Sequence, residues 1–312
     1  MKILITGGAG YIGSVMTEYF VSQGYDVDVL DNLSRGYIDA VSKDAKFIEG
    51  DIKDALRMID HSTHYDGIIH LAAHSRVEES VQDPSLYWDN NVLGTQKILE
   101  FARLREIPRF VFASTAAVYG TLAPSPITED VPPSPANTYG MTKLTMDMAI
   151  ESYARAYGLT GTSLRFFNVS GSFNGTRERH QPETHLIPVA VSRIKNNEAV
   201  SIFGSDYPTR DGTCVRDYIH VVDLARAAQL ALNRISDGSF KVFNLGNGNG
   251  YSNLEVVRTI GEVLGVSPKI NFAPRRDGDA PELVASSKAI SEELGWRPSI
   301  PSLSEIVESA II

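Results

Sequence analysis

The sequence is short of cysteine, of positive charge and of long apolar runs. Among its 312 residues Cys214 is the only cysteine, which excludes an intramolecular disulfide and a cysteine-based zinc site. Acidic residues outnumber basic ones and give a formal net charge of -9, so we expect no binding to nucleic acid. No run of about 18 apolar residues occurs, and the sequence therefore predicts no membrane-spanning helix.

The N-terminal residues do not have the pattern of an export signal. Met1–Thr6 runs directly into glycines, too soon for the apolar region of a signal peptide. Because a single cysteine also fits a reducing compartment, we expect the protein in the cytoplasm. His61 and His64 could share one helical face, but no carboxylate or third ligand accompanies them. We therefore predict no metal site.

Short apolar runs alternate along the first half of the chain with longer stretches that are compatible with helices. The runs lie at 3–5, 27–30, 46–48, 68–71, 109–113 and 162–167, and the helical stretches at 11–23, 52–60, 85–106 and 139–157. This α/β order predicts a Rossmann-type, doubly wound parallel sheet with helices on both faces. We expect a first domain over 1–168, to which the segment near 219–247 returns, and a smaller C-terminal α/β lobe over 169–312.

A glycine pattern joins the first apolar run to the start of the first helical stretch. Gly7, Gly10 and Gly13 form the pattern G-x-x-G-x-x-G. Glycine lets the backbone turn tightly and approach a pyrophosphate closely. The N-terminus of the following helix offers free N–H groups and the positive end of its dipole to an anion. In this context the pattern predicts that the first domain binds a dinucleotide.

Acidic side chains follow the second and third apolar runs. Asp31 ends the second run, where a carboxylate can hydrogen-bond the adenosine ribose hydroxyls and would repel a 2′-phosphate. NAD is therefore favoured over NADP, although Arg35 lies nearby. Asp51 and Ile52 follow the third run and could hold the adenine.

A tyrosine and a lysine are spaced for one face of a later helix. Tyr139 and Lys143 lie four residues apart, about one helical turn. A nearby ammonium favours the phenolate of a tyrosine, which can then take a proton from a substrate hydroxyl. Thr115 stands at the carboxyl end of the fifth run, the edge at which open α/β sheets bind ligands. Its hydroxyl could relay that proton.

The chain resembles the extended short-chain dehydrogenase/reductase family, and within it the UDP-glucose 4-epimerases, over nearly its whole length. The motifs that many members share are Thr6–Gly13, Asp31–Ser34, Asp89–Val92, Ser114–Gly120, Leu164–Asn168 and Thr184–Pro188. Three further motifs are shared by far fewer members of the family: Phe203–Thr209, Asp211–His220 and Ala273–Asp279.

The resemblance implies an NAD-dependent enzyme in which Thr115, Tyr139 and Lys143 are catalytic. It implies a cofactor site of Gly7, Gly10, Tyr11, Ile12, Gly13, Asp31, Asn32, Leu33, Ser34, Arg35, Gly36, Asp51, Ile52, Leu71, Ala72, Ala73, Ser75, Asn91, Thr115, Tyr139, Lys143 and Phe167. It implies a UDP-sugar site of Thr115, Tyr139, Asn168, His185, Leu186, Ser201, Ile202, Phe203, Arg216, Arg276, Asp279 and Leu283.

The reaction implied by the resemblance interconverts UDP-glucose and UDP-galactose. The sugar is oxidised transiently at C4, the 4-keto sugar rotates, and hydride returns to its opposite face. Two arginines, Arg216 and Arg276, can each donate a pair of hydrogen bonds to the diphosphate. The family also implies a homodimer, formed through the helices near 85–106 and 139–157.

A few positions depart from the family pattern. Glu78 stands where the family usually has glycine, in a segment expected to pass near the cofactor. Phe166 stands where tyrosine is frequent, and the chain ends at Ile312, shorter than is usual. The effect of Glu78 on the NAD contacts stays open. We expect Phe166 to remove one hydroxyl contact and the early end of the chain to shorten a terminal helix.

Several alternative functions share this fold. A 4,6-dehydratase needs an acid and a base directly after the strand-end threonine, where this chain has Ala116 and Ala117. A 4-epimerase of a UDP-N-acetylhexosamine, a UDP-uronate or a UDP-pentose stays open, because Leu283 at the family's gate position does not decide the sugar. An inactive NAD-sensing regulator would lack Tyr139 or Lys143, and both are present.

Overall fold

A computed structural model describes residues 1–121, 123–179, 181–235, 238–276 and 278–311. The strands are β1 (Lys2–Thr6), β2 (Asp26–Asp31), β3 (Lys46–Glu49), β4 (Gly67–His70), β5 (Arg109–Thr115), β6 (Thr160–Phe166), β7 (Asn168–Ser170), β8 (Val200–Phe203), β9 (Val215–His220), β10 (Phe240–Leu245), β11 (Gly250–Ser252), β12 (Ile270–Ala273) and β13 (Glu282–Leu283). The α-helices are α1 (Tyr11–Ser22), α2 (Ala55–Met58), α3 (Val77–Gln82), α4 (Pro84–Tyr87), α5 (Thr95–Leu104), α6 (Thr138–Tyr157), α7 (Leu186–Lys195), α8 (Val221–Arg234), α9 (Asn253–Leu264), α10 (Lys288–Leu294) and α11 (Leu303–Ile311). Asp277 of the motif Ala273–Asp279, and the terminal Ile312, lie outside the described residues.

Seven strands form one sheet in the order β10-β6-β5-β4-β1-β2-β3. Every neighbouring pair in it is parallel. The predicted Rossmann-type parallel sheet is confirmed. The strand order reverses beside β1, because β2 and β3 extend to one side of it and β4, β5 and β6 to the other. Open sheets of this kind bind ligands in the crevice at that reversal.

Helices cover both faces of the large sheet. Successive residues of a strand point to opposite faces. Ile3 and Ile5 of β1 pack in one buried cluster with Phe20 of α1 and with residues of α8. Leu4, between them, packs on the other face with Leu99 of α5 and with residues of α6. Because helices bury both faces of the sheet, the residues that point to either face are apolar, and the central strands are apolar throughout.

The residues beyond β6 build a second core. Strands β7, β9, β11 and β13 form a small sheet, and β8 pairs with β12. Ile194 of α7, Ile260 of α9 and Ile306 of α11 are buried together there. Strand β10, in contrast, extends the large sheet beside β6. The division of the chain at residue 168 stays a prediction.

Two predicted helices differ in detail from the structure. The stretch 85–106 is not one helix, because a π-helical segment, Trp88–Gly94, separates α4 from α5. The stretch 52–60 is a 3₁₀ turn, Ile52–Asp54, followed by the short α2. π-helical turns are rare and often lie at functional sites. No described helix combines the length and the apolar character needed to cross a membrane.

Candidate active site

The glycine pattern forms a tight turn at the carboxyl end of β1. Gly7 has φ +75°, and a β-carbon on it would lie 2.6 Å from the backbone nitrogen of Ala72 after β4. A β-carbon on Gly13 would lie 2.0 Å from the carbonyl oxygen of Gly7. Only glycine fits these two positions, because backbone stands where a side chain would be.

Gly10 differs from the other two glycines because a β-carbon there would make only an ordinary contact. A β-carbon there would have one neighbour within contact distance, the carbonyl oxygen of Gly7 at 3.4 Å. Gly10 is also the N-cap of α1, and no side chain caps this helix or places an acidic group in its first turn. The N-terminus of α1 is therefore free to receive an anion such as a pyrophosphate.

Asp31 borders this cradle from the end of β2. Its carboxylate accepts hydrogen bonds from the backbone nitrogens of Ala9 at 3.0 Å and Leu33 at 2.8 Å. Burial raises the pKa of Asp31, and the two backbone donors oppose that rise. Asp51 accepts from the side chain of Asn32 at 3.3 Å. The carboxyl ends of β2 and β3 thus share one polar edge, suited to the hydroxyls of a ribose.

The loop after β2 and the loop after β4 complete this edge of the sheet. They contain the remaining cofactor positions inferred from the sequence: Asn32, Leu33, Ser34, Arg35 and Gly36 in one, and Leu71, Ala72, Ala73 and Ser75 in the other. Ile52 is almost fully buried and packs against the helices on that face of the sheet. Phe167, between β6 and β7, is buried against Ala116 and Ala285.

The departure at Glu78 lies on an exposed position of α3. Glu78 is exposed on α3 and accepts a hydrogen bond from Gln82 at 3.3 Å. Its neighbour Glu79 instead accepts from Arg35 at 2.6 Å and from Tyr87 at 2.9 Å. The acidic residue that reaches the loop after β2 is therefore Glu79, which neutralises Arg35.

Asn91 holds the loop after β4 against α6. Its side-chain oxygen accepts from the backbone nitrogen of His74 at 2.8 Å. Its amide donates to the carbonyl of His74 at 2.9 Å and to the hydroxyl of Thr142 at 3.2 Å. The π-helical segment puts this buried amide between the loop and the helix that carries Tyr139.

Thr115, Tyr139 and Lys143 come together at the carboxyl end of β5. Asn137 caps α6 by accepting from the backbone nitrogen of Gly140 at 2.9 Å, which begins the helix beside β5. The Thr115 hydroxyl lies close enough to the phenol of Tyr139 to lower its pKa. The Lys143 nitrogen lies 6.0 Å from the centre of the Tyr139 ring and 4.7 Å from that of Phe112. The predicted spacing therefore brings the three side chains into one group.

Burial has the largest effect on the pKa values of Tyr139 and Lys143. It raises the pKa of Tyr139 to about 12, and the Thr115 hydroxyl opposes the rise. It lowers the pKa of Lys143 to about 7, and the charge of Asp147 opposes the fall. In a medium of low polarity each side chain favours its neutral form. Any added charge near Lys143 can therefore change which of the two carries the proton.

Basic residues among the predicted substrate positions lie on segments of the second core. Arg216 on β9 is mostly buried, donates to the carbonyl of Ala280 at 2.8 Å and lies 3.3 Å from a carboxylate oxygen of Asp279. Leu283 on β13 pairs with Arg216 in the small sheet. The Arg276 guanidinium lies 3.8 Å from the centre of the Phe203 ring. These contacts hold two guanidinium groups and a carboxylate on adjoining segments.

Other substrate positions inferred from the sequence lie on β7, β8 and α7 and differ in their burial. Ser201 and Phe203 are half-buried on β8, whereas Ile202 between them is buried in the second core. Leu186, at the start of α7, packs against that core as well. Asn168 is exposed at the start of β7. Because its side chain is buried, Ile202 could contact a ligand only through its backbone.

His185 takes part in an ion cluster that the sequence did not predict. Its Nδ1 lies 2.8 Å from Glu178 and 2.9 Å from Glu183. Burial lowers the pKa of His185, but the two carboxylates outweigh burial and raise it well above the usual value. One ring nitrogen of His185 and one carboxylate oxygen of each glutamate lie within 4.8 Å of one another. A protonated histidine between two carboxylates accounts for this spacing without a metal ion.

A second group that the sequence did not predict lies directly behind Lys143. Asp147, Ser114, Ser163, Arg165 and Tyr119 are all buried and hydrogen-bonded to one another. Two signals in the sequence could have identified it. Arg165 is a charged residue within an apolar run, and Asp147 lies one helical turn beyond Lys143.

Comparisons with known proteins agree with this geometry. Residues 3–246 match the NAD dependent epimerase/dehydratase family. A UDP-glucose 4-epimerase of Corynebacterium glutamicum is 47% identical over 311 residues, which cover 99% of this chain and 94% of that protein. The structure of a UDP-glucose 4-epimerase from Brucella ovis in complex with NAD has a TM-score of 0.94 at 41% identity, covering 99% of this chain and 97% of that one. A UDP-glucose 4-epimerase from Bifidobacterium longum in complex with NAD+ and UDP has a TM-score of 0.92 at 32% identity, covering 100% and 97%.

Proposed function

Since the chain belongs to the NAD dependent epimerase/dehydratase family, we propose that it interconverts UDP-glucose and UDP-galactose by inverting C4 of the hexose. The observation that carries this proposal is the group of Thr115, Tyr139 and Lys143 at the carboxyl edge of the sheet that also holds the glycine cradle. Relatives named UDP-glucose 4-epimerase match the chain over 99% of its length.

The cradle fits NAD. Gly10, which has no side chain, and the uncapped start of α1 suit the pyrophosphate, and Asp31 suits the adenosine ribose. Bound NAD supplies a group that accepts hydride from the sugar and returns it. The loops after β2 and β4, the latter held by Asn91, border the cradle on both sides.

The chain's own residues move and hold the proton. Tyr139 takes the proton of the 4-hydroxyl, and Thr115 shares a hydrogen bond with the reacting oxygen and the phenol. Lys143 stabilises the phenolate through its charge. Ala116 and Ala117 follow Thr115 and have no acid or base, so elimination of water has no catalyst there.

Inversion requires the sugar to turn while the nucleotide stays in place. Arg216 and Arg276 provide two planar guanidinium groups for the diphosphate, and Asp279 provides a carboxylate for ribose hydroxyls. The nucleotide is held by side chains of the second core, and the proton is moved by side chains of β5 and α6. The hexose between them is then free to present either face.

We also propose that the protein acts as a homodimer in the cytoplasm and does not bind nucleic acid. Large apolar side chains are exposed along the helices near 85–106 and 139–157: Trp88, Leu93, Leu104, Met141, Met148 and Tyr157. A second copy that covers them would remove this surface from water. The net charge of -9 disfavours nucleic acid. Sedimentation equilibrium should give twice the chain mass, whereas Met148→Glu should shift the mass toward one chain.

A substrate panel tests the proposed activity. The purified protein with NAD+ should convert UDP-galactose to UDP-glucose, and UDP-N-acetylgalactosamine and UDP-xylose measure how far Leu283 restricts the sugar. Conversion of UDP-galactose with the highest kcat/KM supports the proposal. A higher kcat/KM for another sugar would reassign the substrate, and no conversion by NAD-loaded protein would point to a regulator.

A further inference from the structure

A buried polar cluster lies behind the proton-transfer group, on the side away from the glycine cradle. We call it the Asp147 cluster: Asp147 on α6, Ser114 on β5, Ser163 and Arg165 on β6, and Tyr119 in the 3₁₀ turn after β5. All five side chains are buried. The cluster joins α6, which carries Tyr139 and Lys143, to β5, which carries Thr115.

Asp147 is fully engaged as an acceptor. Arg165 donates to it through Nε at 3.2 Å and through Nη2 at 3.1 Å. Ser163 donates at 2.6 Å and Ser114 at 3.3 Å. Burial raises the pKa of Asp147, and Arg165 and the hydroxyls oppose that rise. A guanidinium that never loses its proton in proteins keeps the carboxylate ionised.

Arg165 is fixed from its other side. It donates to the hydroxyl of Tyr119 at 2.7 Å and lies 4.9 Å from the centre of that ring. Tyr119 in turn donates to the side chain of Asn244 at 2.8 Å, next to the partly buried Glu129. Arg165 cannot turn away from Asp147 without breaking these contacts. A buried ion pair of this kind adds little to stability over apolar residues, so its position calls for another explanation.

Lys143 has one anion acting on it among the described residues. Its nitrogen donates to the carbonyl of Ala113 at 2.7 Å. His70 on β4 faces it, but burial lowers the pKa of His70 to about 3, so this ring is neutral. Tyr139 faces it as a neutral phenol before the reaction. Asp147, one turn along α6, is not in direct contact with Lys143, but its negative charge raises the pKa of Lys143 through the buried interior.

We propose that Asp147, held by Arg165, is a positioning residue for proton transfer. Its negative charge, one helical turn from Lys143, favours the ammonium form of Lys143, and the hydrogen bond that it accepts from Ser114 fixes the strand end that presents Thr115. This inference rests on the proposed function, because it assigns Lys143 the task of stabilising the Tyr139 phenolate.

The consequence is a coupling between Asp147 and the ionisation of Tyr139. Without the carboxylate, Lys143 loses this favourable charge and also faces an unpaired Arg165. Lys143 is then neutral at working pH, and the phenolate loses its nearest cation. We expect the pKa of Tyr139 to rise by about one unit or more. At neutral pH kcat should fall about tenfold or more, while KM for UDP-galactose stays within about twofold because no substrate contact is lost.

Titration of Tyr139 in the full-length protein saturated with NAD+ tests this coupling without substrate. The ultraviolet absorbance of ionised tyrosine is measured against pH in the wild type and in Tyr139→Phe, and the difference reports Tyr139 alone. The same difference is measured in the Asp147→Asn background. A midpoint displaced to higher pH by about one unit or more supports the proposal. An unchanged midpoint in the folded variant would overturn it.

Matched variants separate charge from structure. Asp147→Glu keeps the charge and should bring the midpoint back toward that of the wild type. Glu151→Gln, exposed one turn further along α6 and paired with Arg155, should leave it unchanged. If Asp147→Asn does not fold, Asp147→Asn/Arg165→Met removes both charges and leaves no unpaired ion. Its midpoint should stay raised, whereas a wild-type midpoint would mean that the pair is only structural.

The two proposals can fail separately. If the wild type does not convert UDP-galactose but the midpoint still moves with Asp147, the proposed substrate is wrong and the coupling holds. If the wild type converts UDP-galactose and the midpoint does not move, the activity stands and Asp147 has no role in proton transfer.

Discussion

The ammonium of Lys143 lies 6.0 Å from the centre of the Tyr139 ring and donates its hydrogen bond to the carbonyl of Ala113 at 2.7 Å. Lys143 therefore acts on the phenol through its charge, from a position that the backbone of β5 fixes. An interaction of this kind is strong because both groups are shielded from water. It also depends on Lys143 being protonated, which burial opposes.

Replacing Tyr139 by phenylalanine should remove the proton acceptor and leave the fold intact. The phenol lies beside the Thr115 hydroxyl, which lowers its pKa. Its ring packs against Tyr87 at 6.4 Å between centres, and phenylalanine keeps that packing. We expect kcat for UDP-galactose to fall by about 10²–10⁴, with NAD content unchanged. Tyr157→Phe, exposed at the end of the same helix, is the control. Near wild-type turnover in Tyr139→Phe would contradict the assignment of the base.

Alanine at two glycines of the cradle should have different effects. Gly10 has φ -76° and ψ 173°, which alanine adopts readily, and its β-carbon would make only an ordinary contact. Gly10→Ala should therefore fold with a melting temperature close to that of the wild type but bind NAD more weakly. Gly13→Ala should lose stability, because its β-carbon would meet the carbonyl of Gly7. Thermal melting and NAD titration measure both. Unchanged NAD affinity in Gly10→Ala would place the pyrophosphate elsewhere.

Arg276 should contribute to substrate binding more than to the chemical step. Its guanidinium lies over Phe203, and a hydrogen bond to a charged group contributes about 1.5–3 kcal/mol. Arg276→Ala should raise KM for UDP-galactose by roughly 10–100-fold and change kcat much less. Steady-state kinetics with Arg258→Ala, an exposed arginine of α9, provides the comparison. A loss confined to kcat would contradict a role in holding the diphosphate.

His70 should make the fold sensitive to acid. It is buried between the hydroxyls of Thr6 at 2.6 Å and Thr95 at 2.8 Å, and burial lowers its pKa to about 3. Between pH 6.5 and 3 the unfolded chain binds this proton and the native chain does not, so stability falls as pH falls. From pH 7 to pH 5 the loss from this group should be about 2 kcal/mol.

Urea unfolding at these two pH values measures that loss. In His70→Gln the difference between pH 7 and pH 5 should shrink by about this amount, whatever the variant does to stability at pH 7. His61→Gln, exposed after α2, should keep the wild-type difference. An equal pH dependence in His70→Gln and the wild type would show that His70 is not the group responsible.

Local spacing explains how much of the site could be predicted from the sequence. Several relations in the site are local in the sequence. They are the spacing of the cradle glycines, the place of Asp31 at the end of a strand, and the one-turn spacing of Tyr139 and Lys143 on a helix. The approach of Thr115 to Tyr139 follows from the rule that parallel strands present their carboxyl ends at one edge. These relations need only the order of elements.

The remaining features depend on contacts between distant segments. Asn91 reaches the loop after β4 because Trp88–Gly94 is π-helical, and apolar periodicity does not distinguish that form from an α-helix. The pairing of Arg216 with Asp279 needs β9 and β13 to be neighbours. Arg165 meets Asp147 only once α6 packs on β6. The direction of α3 leaves Glu78 exposed and brings Glu79 to Arg35, which the sequence pattern alone does not distinguish.

The central claim is that C4 is inverted by removing and returning the same hydrogen. Conversion of UDP-galactose in deuterated water, with the product resolved and its mass measured, tests this claim most directly. The account predicts UDP-glucose with no deuterium on carbon, because hydride leaves C4 and returns to it without exchange with solvent. Deuterium at a ring carbon of the product, or a product that has lost water, would contradict it.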